Sequence, residues 1–301
     1  MPQFIYNTCP ICNSKSFSVI GECSLGTVNI EKPEKIQAVK CKNCHTIFAN
    51  PLPVWNKEDF AELYNASYIP ALDTTSTVIR ERIIPQRRFR EIEKHLQTKN
   101  KEFLEFGAGI QAFMAQYLFQ EQHWNIELQE PSQEFAIALR KSFPQAKVNG
   151  TDFLDMNADK RYSVIYSDSV MEHVPDPIDY FQKCADMLEP GGVLYFVSPN
   201  EHSFRNWIST LKKTGRGVGI NYLRPFNIPY HLVGFSRKGI KIAAAKTGLT
   251  VVKHTRRNDY EAVNFIKQQS GVLKYPVAFF LYLVDCLGFG TNQEIILRKN
   301  K

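Results

Sequence analysis

The stretch Phe103-Leu104-Glu105-Phe106-Gly107-Ala108-Gly109 decides the reading of this chain. A short run of strand-forming residues ends in two glycines one position apart, and a helical pattern opens from Gln111. Glycine lets a backbone turn sharply and approach a ligand closely at the C-terminal edge of a parallel sheet. Working outward, short apolar runs alternate with helical stretches, the signature of a doubly wound α/β sheet. Strands are expected at 103–106, 126–129, 147–149, 163–166, 193–197, 250–255 and 294–297. Helices are expected at 111–118, 133–141, 178–188 and 237–247.

The glycine loop alone leaves its ligand open. Gly107-x-Gly109-x-x-Ala112 also satisfies the dinucleotide fingerprint, and Glu130, at the tip of the second strand, suits ribose hydroxyls in either case. Two features separate the readings. Glu105 precedes the first glycine by two residues, and a carboxylate there suits a cofactor carrying an ammonium and a sulfonium better than a pyrophosphate. The chain also has no further alternating α/β half after the fifth strand. It runs through a long irregular basic segment and ends in a short strand beside Gly288-Phe289-Gly290. Both favour S-adenosylmethionine (SAM) over NAD.

Of the seven cysteines, four form two pairs, Cys9-Pro10-Ile11-Cys12 and Cys41-Lys42-Asn43-Cys44. Two thiolates three apart on a tight turn both reach one tetrahedral Zn²⁺, and two such turns close its shell. Four protein ligands leave no open position, so such a metal is structural. A redox pair needs one such motif beside a βαβ unit, whereas both pairs here come before any. Cys23, Cys184 and Cys286 read as buried small hydrophobes.

Hydrophobic residues make up 44% and charged residues 22% of 301, an ordinary soluble composition. The first residues carry no signal-peptide pattern, and the apolar run 277–284 is too short to span a bilayer, so a cytoplasmic setting is expected. The net charge is +7, unevenly spread: twelve Lys/Arg and no Asp or Glu lie between His202 and Asn258. A second basic cluster comprises Arg80, Arg82, Arg87, Arg88 and Arg90. The acid-free stretch favours an anionic partner. The 80–90 cluster reads equally as that or as a solvated face.

The quoted motifs resemble those of class I SAM-dependent methyltransferases. Glu105 to Gly109 and Glu130-Pro131-Ser132 are similar to the first two motifs of that family. Tyr162 to Pro177, with Glu172-His173-Val174-Pro175-Asp176-Pro177, resembles its fourth strand and following turn, as in ubiquinone-pathway O-methyltransferases. Pro190-Gly191-Gly192 and the strand after it resemble the fifth. The paired cysteines, the joint Asn50-Pro51-Leu52-Pro53 and the segment 63–68 resemble a small-molecule and sugar methyltransferase group with an N-terminal metal module. Ala108 stands where Cys or Ser is common and Gln111 where Gly is common, departures that bear on loop geometry.

The resemblance implies a Rossmann-like seven-stranded sheet with an antiparallel last strand and a small zinc-ribbon-like module. It implies a module at 1–54, a helical linker at 55–98 and a methyltransferase domain at 99–301 with a lid at about 201–235. Glu105, Gly107 and Gly109 would cradle the methionine part of SAM, Glu130 would hold the ribose, and Asp152 and Phe153 would flank the adenine. Ser167 and Asp168 would line the sulfonium, and Ala108 and Pro131 complete the cofactor set. Asp152 as a turn cap and Phe153 as core are the alternatives.

Methyl transfer to oxygen or carbon needs positioning and a base. His173 is the first candidate, Glu172 its neighbour, and His231 with Tyr230 the second; Glu172 and His173 equally read as a brace for the turn. The lid mixes Phe204, Trp207, Tyr222 and Phe226 with Arg205, Lys212, Lys213, Arg216 and Arg224. That mixture fits a small anionic metabolite such as a nucleotide-sugar. An RNA-base methyltransferase, a non-catalytic SAM-binding scaffold and peripheral membrane contact through 206–213 and 277–287 are the other readings. Oligomeric state is not legible.

Overall fold

The computed structural model of the chain describes residues 3–5, 7–22, 24–25, 36–54, 79–121, 123–203, 227–228, 231–258 and 274–301. Cys23, residues 55–78 of the linker, the lid residues 204–226 and Tyr230 lie outside the described residues.

Near the N-terminus, β1 (Phe17–Glu22), β2 (Gln37–Cys41) and β3 (Ile47–Asn50) form an antiparallel meander. The linker ends in α1 (Ile84–His95), with Pro85 in its first turn, where the missing N–H costs nothing. The α/β part follows as β4 (Glu102–Phe106), α2 (Phe113–Glu121), β5 (Asn125–Gln129), α3 (Gln133–Ser142), β6 (Lys147–Asn149) and β7 (Tyr162–Asp168). It continues through α4 (Pro177–Met187), β8 (Leu188–Pro199), β9 (Val233–Gly234), α5 (Arg237–Lys246), β10 (Leu249–Arg257), α6 (Lys274–Cys286) and β11 (Asn292–Lys299).

The main sheet has seven strands in the order β10-β11-β8-β7-β4-β5-β6. The pairs from β8 to β6 are parallel, and β11 runs antiparallel to both its neighbours. This is the expected sheet, antiparallel last strand included. The central strands are buried on both faces, as a parallel sheet between helices requires. Leu104, Ile165, Leu194 and Ile295 pack into one apolar layer, and Phe103, Val164, Val193 and Ile296 into the other, following the two-residue period of a strand. The first layer also contains Cys9, Ile11, Val39 and Phe48, so the cysteine module shares one core with the sheet. A backbone link reinforces this: β9 pairs antiparallel with β3, registering Val233 opposite Phe48.

Three expectations shift. The helix expected from Gln111 starts at Phe113, because Gly107, Gly109 and Ala112 all take positive φ and the loop closes later. The helix expected at 178–188 starts at Pro177, behind an Asp176 cap accepting from Ile178 N, and ends at Met187, since Leu188 turns extended. Cys286, read as buried, is exposed, as are its helix neighbours Tyr275, Phe279, Tyr282 and Leu287. The apolar face of α6 points outward instead of into the core. Cys184 is buried as expected. Among the described residues no helix is long and apolar enough to cross a membrane.

Candidate active site

The end of β4 builds a cleft of about 720 Å³, including its open mouth, lined by Gly107, Gly109, Glu130, Pro131, Asp152 and Phe153, with His173 on its wall. Gly107 sits at φ +62° with its Cα facing Val170, whose Cγ2 lies 2.4 Å from where a Cβ would stand. Gly109, at φ +61°, has open space around it, so the backbone conformation alone favours glycine there. Two side chains, from the last residue of β5 and the residue after it, hold the loop. Gln129 Oε1 accepts from Gly107 N at 3.1 Å, and Glu130 Oε2 accepts from Gly109 N at 2.8 Å. The other Glu130 oxygen accepts from Ser132 N. Burial raises the Glu130 carboxyl above its ordinary range, against these N–H donors.

Phe153 stacks on Phe106 at 4.2 Å between ring centroids and on Tyr180 at 5.5 Å, which makes it both core and cleft wall. Asp152 Oδ1 accepts from Leu154 N, closing the turn after β6 while lining the cleft. Glu105, Ser167 and Asp168 are not part of the cleft lining. Glu105 is buried beneath the loop, accepts from Ala115 N, and is pushed up to about 8 by desolvation. Ser167 is fully buried, and its hydroxyl has no partner among the described residues. Ala108 donates its backbone N–H to the Gln129 carbonyl and packs against the second apolar layer.

The turn after β7, which lines the cleft through Val170 and His173, brings three side chains together. One ligating atom each from Glu172, His173 and His231 lies within 4.8 Å of the others, and the two imidazole rings meet edge-on at 4.8 Å. The Glu172 carbonyl accepts from Leu232 N and Val233 N, which pins the segment carrying His231 onto this turn. Glu172 is buried, and neither of its carboxyl oxygens has a hydrogen bond among the described residues. Desolvation lifts its pKa well above the carboxylate range, and its Oε1 lies 3.8 Å from His173 Nε2. The sequence therefore named three residues that do converge.

The family profile of the methyltransferase domain matches residues 80–254, more than half of the chain. The chain belongs to this family. Its fold and motifs make it a class I SAM-dependent methyltransferase by descent. Over 62 residues it is 34% identical to a ubiquinone biosynthesis O-methyltransferase of Shewanella sp. (strain ANA-3), and over 48 residues 40% identical to one of Histophilus somni. These matches span 21% and 16% of this chain and only 23% and 20% of the relatives. Among solved structures, a Galdieria sulphuraria protein named as a candidate sarcosine dimethylglycine methyltransferase superposes with TM-score 0.51. Its identity is 18%, with 72% of this chain and 86% of that one covered. That likeness establishes the shared fold.

Within this methyltransferase, sequence reasoning missed an ion network that joins α1 to β7 and β11 around the buried Arg88 and Glu294. Arg88 Nε donates to Glu294 Oε1 at 3.1 Å, its NH1 donates to the Tyr166 hydroxyl at 2.6 Å, and it pairs with Asp168. Arg87 donates to the second Glu294 oxygen at 2.7 Å. Desolvation raises Glu294, but the Arg87 hydrogen bond and the Arg88 charge outweigh it and hold the carboxyl at about 2. Two members of the 80–90 cluster are thus internal counter-ions. The signal was present in the spacing: Arg88 falls in the buried stripe Pro85, Phe89, Ile92 of α1.

The four paired cysteines converge as their spacing required. Cys9 Sγ lies 3.4 Å from Cys44 Sγ, Cys12 Sγ lies 3.5 Å from Cys41 Sγ, and all four sulfurs lie within 4.8 Å. Tetrahedral zinc with four sulfurs at ~2.3 Å sets them ~3.8 Å apart, so the cluster fits that ion. Asn13 and His45, which follow each pair, take positive φ, the conformation that turns each knuckle.

Proposed function

We propose that this chain transfers a methyl group from SAM to an oxygen or carbon of a small anionic metabolite, with a structural zinc in its cysteine module. The observation carrying this reading is the juxtaposition of the glycine-loop cleft with the Glu172–His173–His231 cluster on one sheet edge. The local identity to O-methyltransferases favours oxygen as the acceptor atom.

Glu130 would exchange its contact with Gly109 N for, or share it with, ribose hydroxyls. Asp152 and Phe153 would bracket the adenine. Glu105 would offer its carboxylate to the methionine ammonium, whose charge counters the desolvation that now protonates it. When bound, SAM supplies an already activated methyl group, so the protein's task is alignment and proton removal. His173 would take the acceptor's proton on a ring nitrogen, with His231 packed against it to fix the ring. Glu172, protonated and buried, would hold the turn in place and carry no charge.

The test couples binding to turnover. Glu130→Ala should abolish SAM binding by equilibrium dialysis while leaving zinc content unchanged; retained SAM affinity sinks the cofactor assignment. Conversion of SAM to S-adenosylhomocysteine with phosphorylated or carboxylated acceptors should fall at least 100-fold in His173→Ala. Tight SAM binding with no turnover on any acceptor would favour a scaffold role instead.

A further inference from the structure

A second cavity lies where the cysteine module meets the methyltransferase domain, and it shares no lining residue with the cofactor cleft. It encloses about 620 Å³ including its open mouth, and is lined by Lys40 and His45 from the module with His202, Ser236, Arg237, Lys238 and Arg256 from the domain. Four of these seven residues are permanent cations, two are histidines, and none is an acid.

Three independent observations make this arrangement costly as it stands. First, Arg237 and Lys238 occupy the opening turn of α5, which carries no acid, although the positive end of a helix dipole disfavours cations. Ser236 caps that helix by accepting from Gly239 N, so the end is well formed. Second, the Nε of Arg256 is buried with no hydrogen-bond partner among the described residues. Third, the charges disturb one another. Burial and the Arg237 charge lower the Arg256 pKa, and burial with the Lys40 and Arg256 charges pushes His202 down to about 4. No neutralising acid comes from nearby in sequence, since residues 202–258 contain none. Among the described residues, Lys40, Arg237, Lys238 and Arg256 form no ion pair. A protein that keeps cations together without counter-ions at a helix N-terminus has the makings of an anion site.

We propose that this seam cavity binds the phosphate or pyrophosphate group of a soluble small molecule, held by Arg237, Arg256 and Lys40 over the N-terminus of α5. The guanidinium forks of Arg237 and Arg256 suit tetrahedral oxyanions, which accept paired N–H donors. The cavity has room for the phosphate and for the group that carries it. Occupancy would also tie the cysteine module to the domain, because both contribute to the cavity.

Calorimetric titration of the full-length, zinc-loaded chain with inorganic phosphate and with pyrophosphate in 150 mM NaCl tests this, a concentration at about which exposed charges are screened beyond ~8 Å. Saturable binding of one equivalent is expected, tighter for pyrophosphate. It should weaken at least tenfold in Arg237→Glu, a change at an exposed residue with no ion pair among the described residues, and at least tenfold in Arg256→Gln. SAM affinity should stay within twofold in both variants, which separates loss of this site from loss of the cofactor site or of the fold. Absence of saturable binding, or undiminished binding in folded Arg237→Glu, overturns the proposal. So does binding to phosphatidic-acid vesicles without binding to soluble pyrophosphate, since the ligand would then be a lipid surface.

Discussion

Arg87 and Arg88 on α1, and Arg237 and Arg256 at the seam, look alike in sequence: basic residues crowded into basic stretches. Their surroundings differ completely. The first pair meets Glu294, Asp168 and the Tyr166 hydroxyl, so buried charge is matched donor by acceptor. The second pair meets Lys40, Lys238 and two histidines, with no acid within its cavity. Internal pairing tells of architecture; unpaired convergence tells of a ligand. Net charge counted along a chain cannot distinguish the two, because the deciding acid, Glu294, stands more than two hundred residues away.

The comparison can be attacked from several sides. Glu294→Ala should have the largest effect, about 3–5 kcal/mol of lost stability in denaturant unfolding, because two arginines lose their buried acceptor. A loss under about 1 kcal/mol would mean that the network is no better paired than the seam. Metal removal comes next: a chelator should abolish pyrophosphate binding at the seam, which borrows Lys40 and His45 from the module, yet leave the Glu294 network in place. Calorimetry beside near-ultraviolet circular dichroism reads both. Acid titration sharpens the contrast further. Glu294 has a folded pKa near 2 against an ordinary 4.5, so its stabilisation is present above about 4.5 and fades as pH falls toward 2. Glu294→Gln should flatten the stability profile across that window. The smallest effect belongs to Arg237→Ala, within about 0.5 kcal/mol of the parent and on the stabilising side if like-charge repulsion is relieved. A clear destabilisation would reveal a partner for Arg237.

Much of this was legible from residues. The two-residue period of the strands, the glycine pair and the paired cysteines each fixed a local geometry that tertiary contacts preserve. The seven-strand count and the antiparallel last strand followed from the family likeness. Glu172, His173 and His231 were named from chemistry and do converge, although 58 residues separate the two histidines. What escaped depended on the third dimension. The loop's positive φ at Ala112 delayed α2, the outward face of α6 left Cys286 exposed, and the pairing of Arg88 waited on β11 lying beside β8. An apolar helical pattern says that one side differs from another, but not which side finds the core.

The pairing of β9 with β3 has a consequence for anyone hoping to exchange parts between relatives. The cysteine pairs all lie before residue 45, yet the outermost strand of their sheet is Val233–Gly234, contributed from far downstream. Gly234 also admits Glu201, whose Cγ lies 2.2 Å from where a Cβ would stand, so a larger residue would wedge the joint apart. A transplant cut at the apparent boundary would carry away three strands and strand the fourth. A chimera that keeps 231–236 together with its native module should survive where the simpler graft does not.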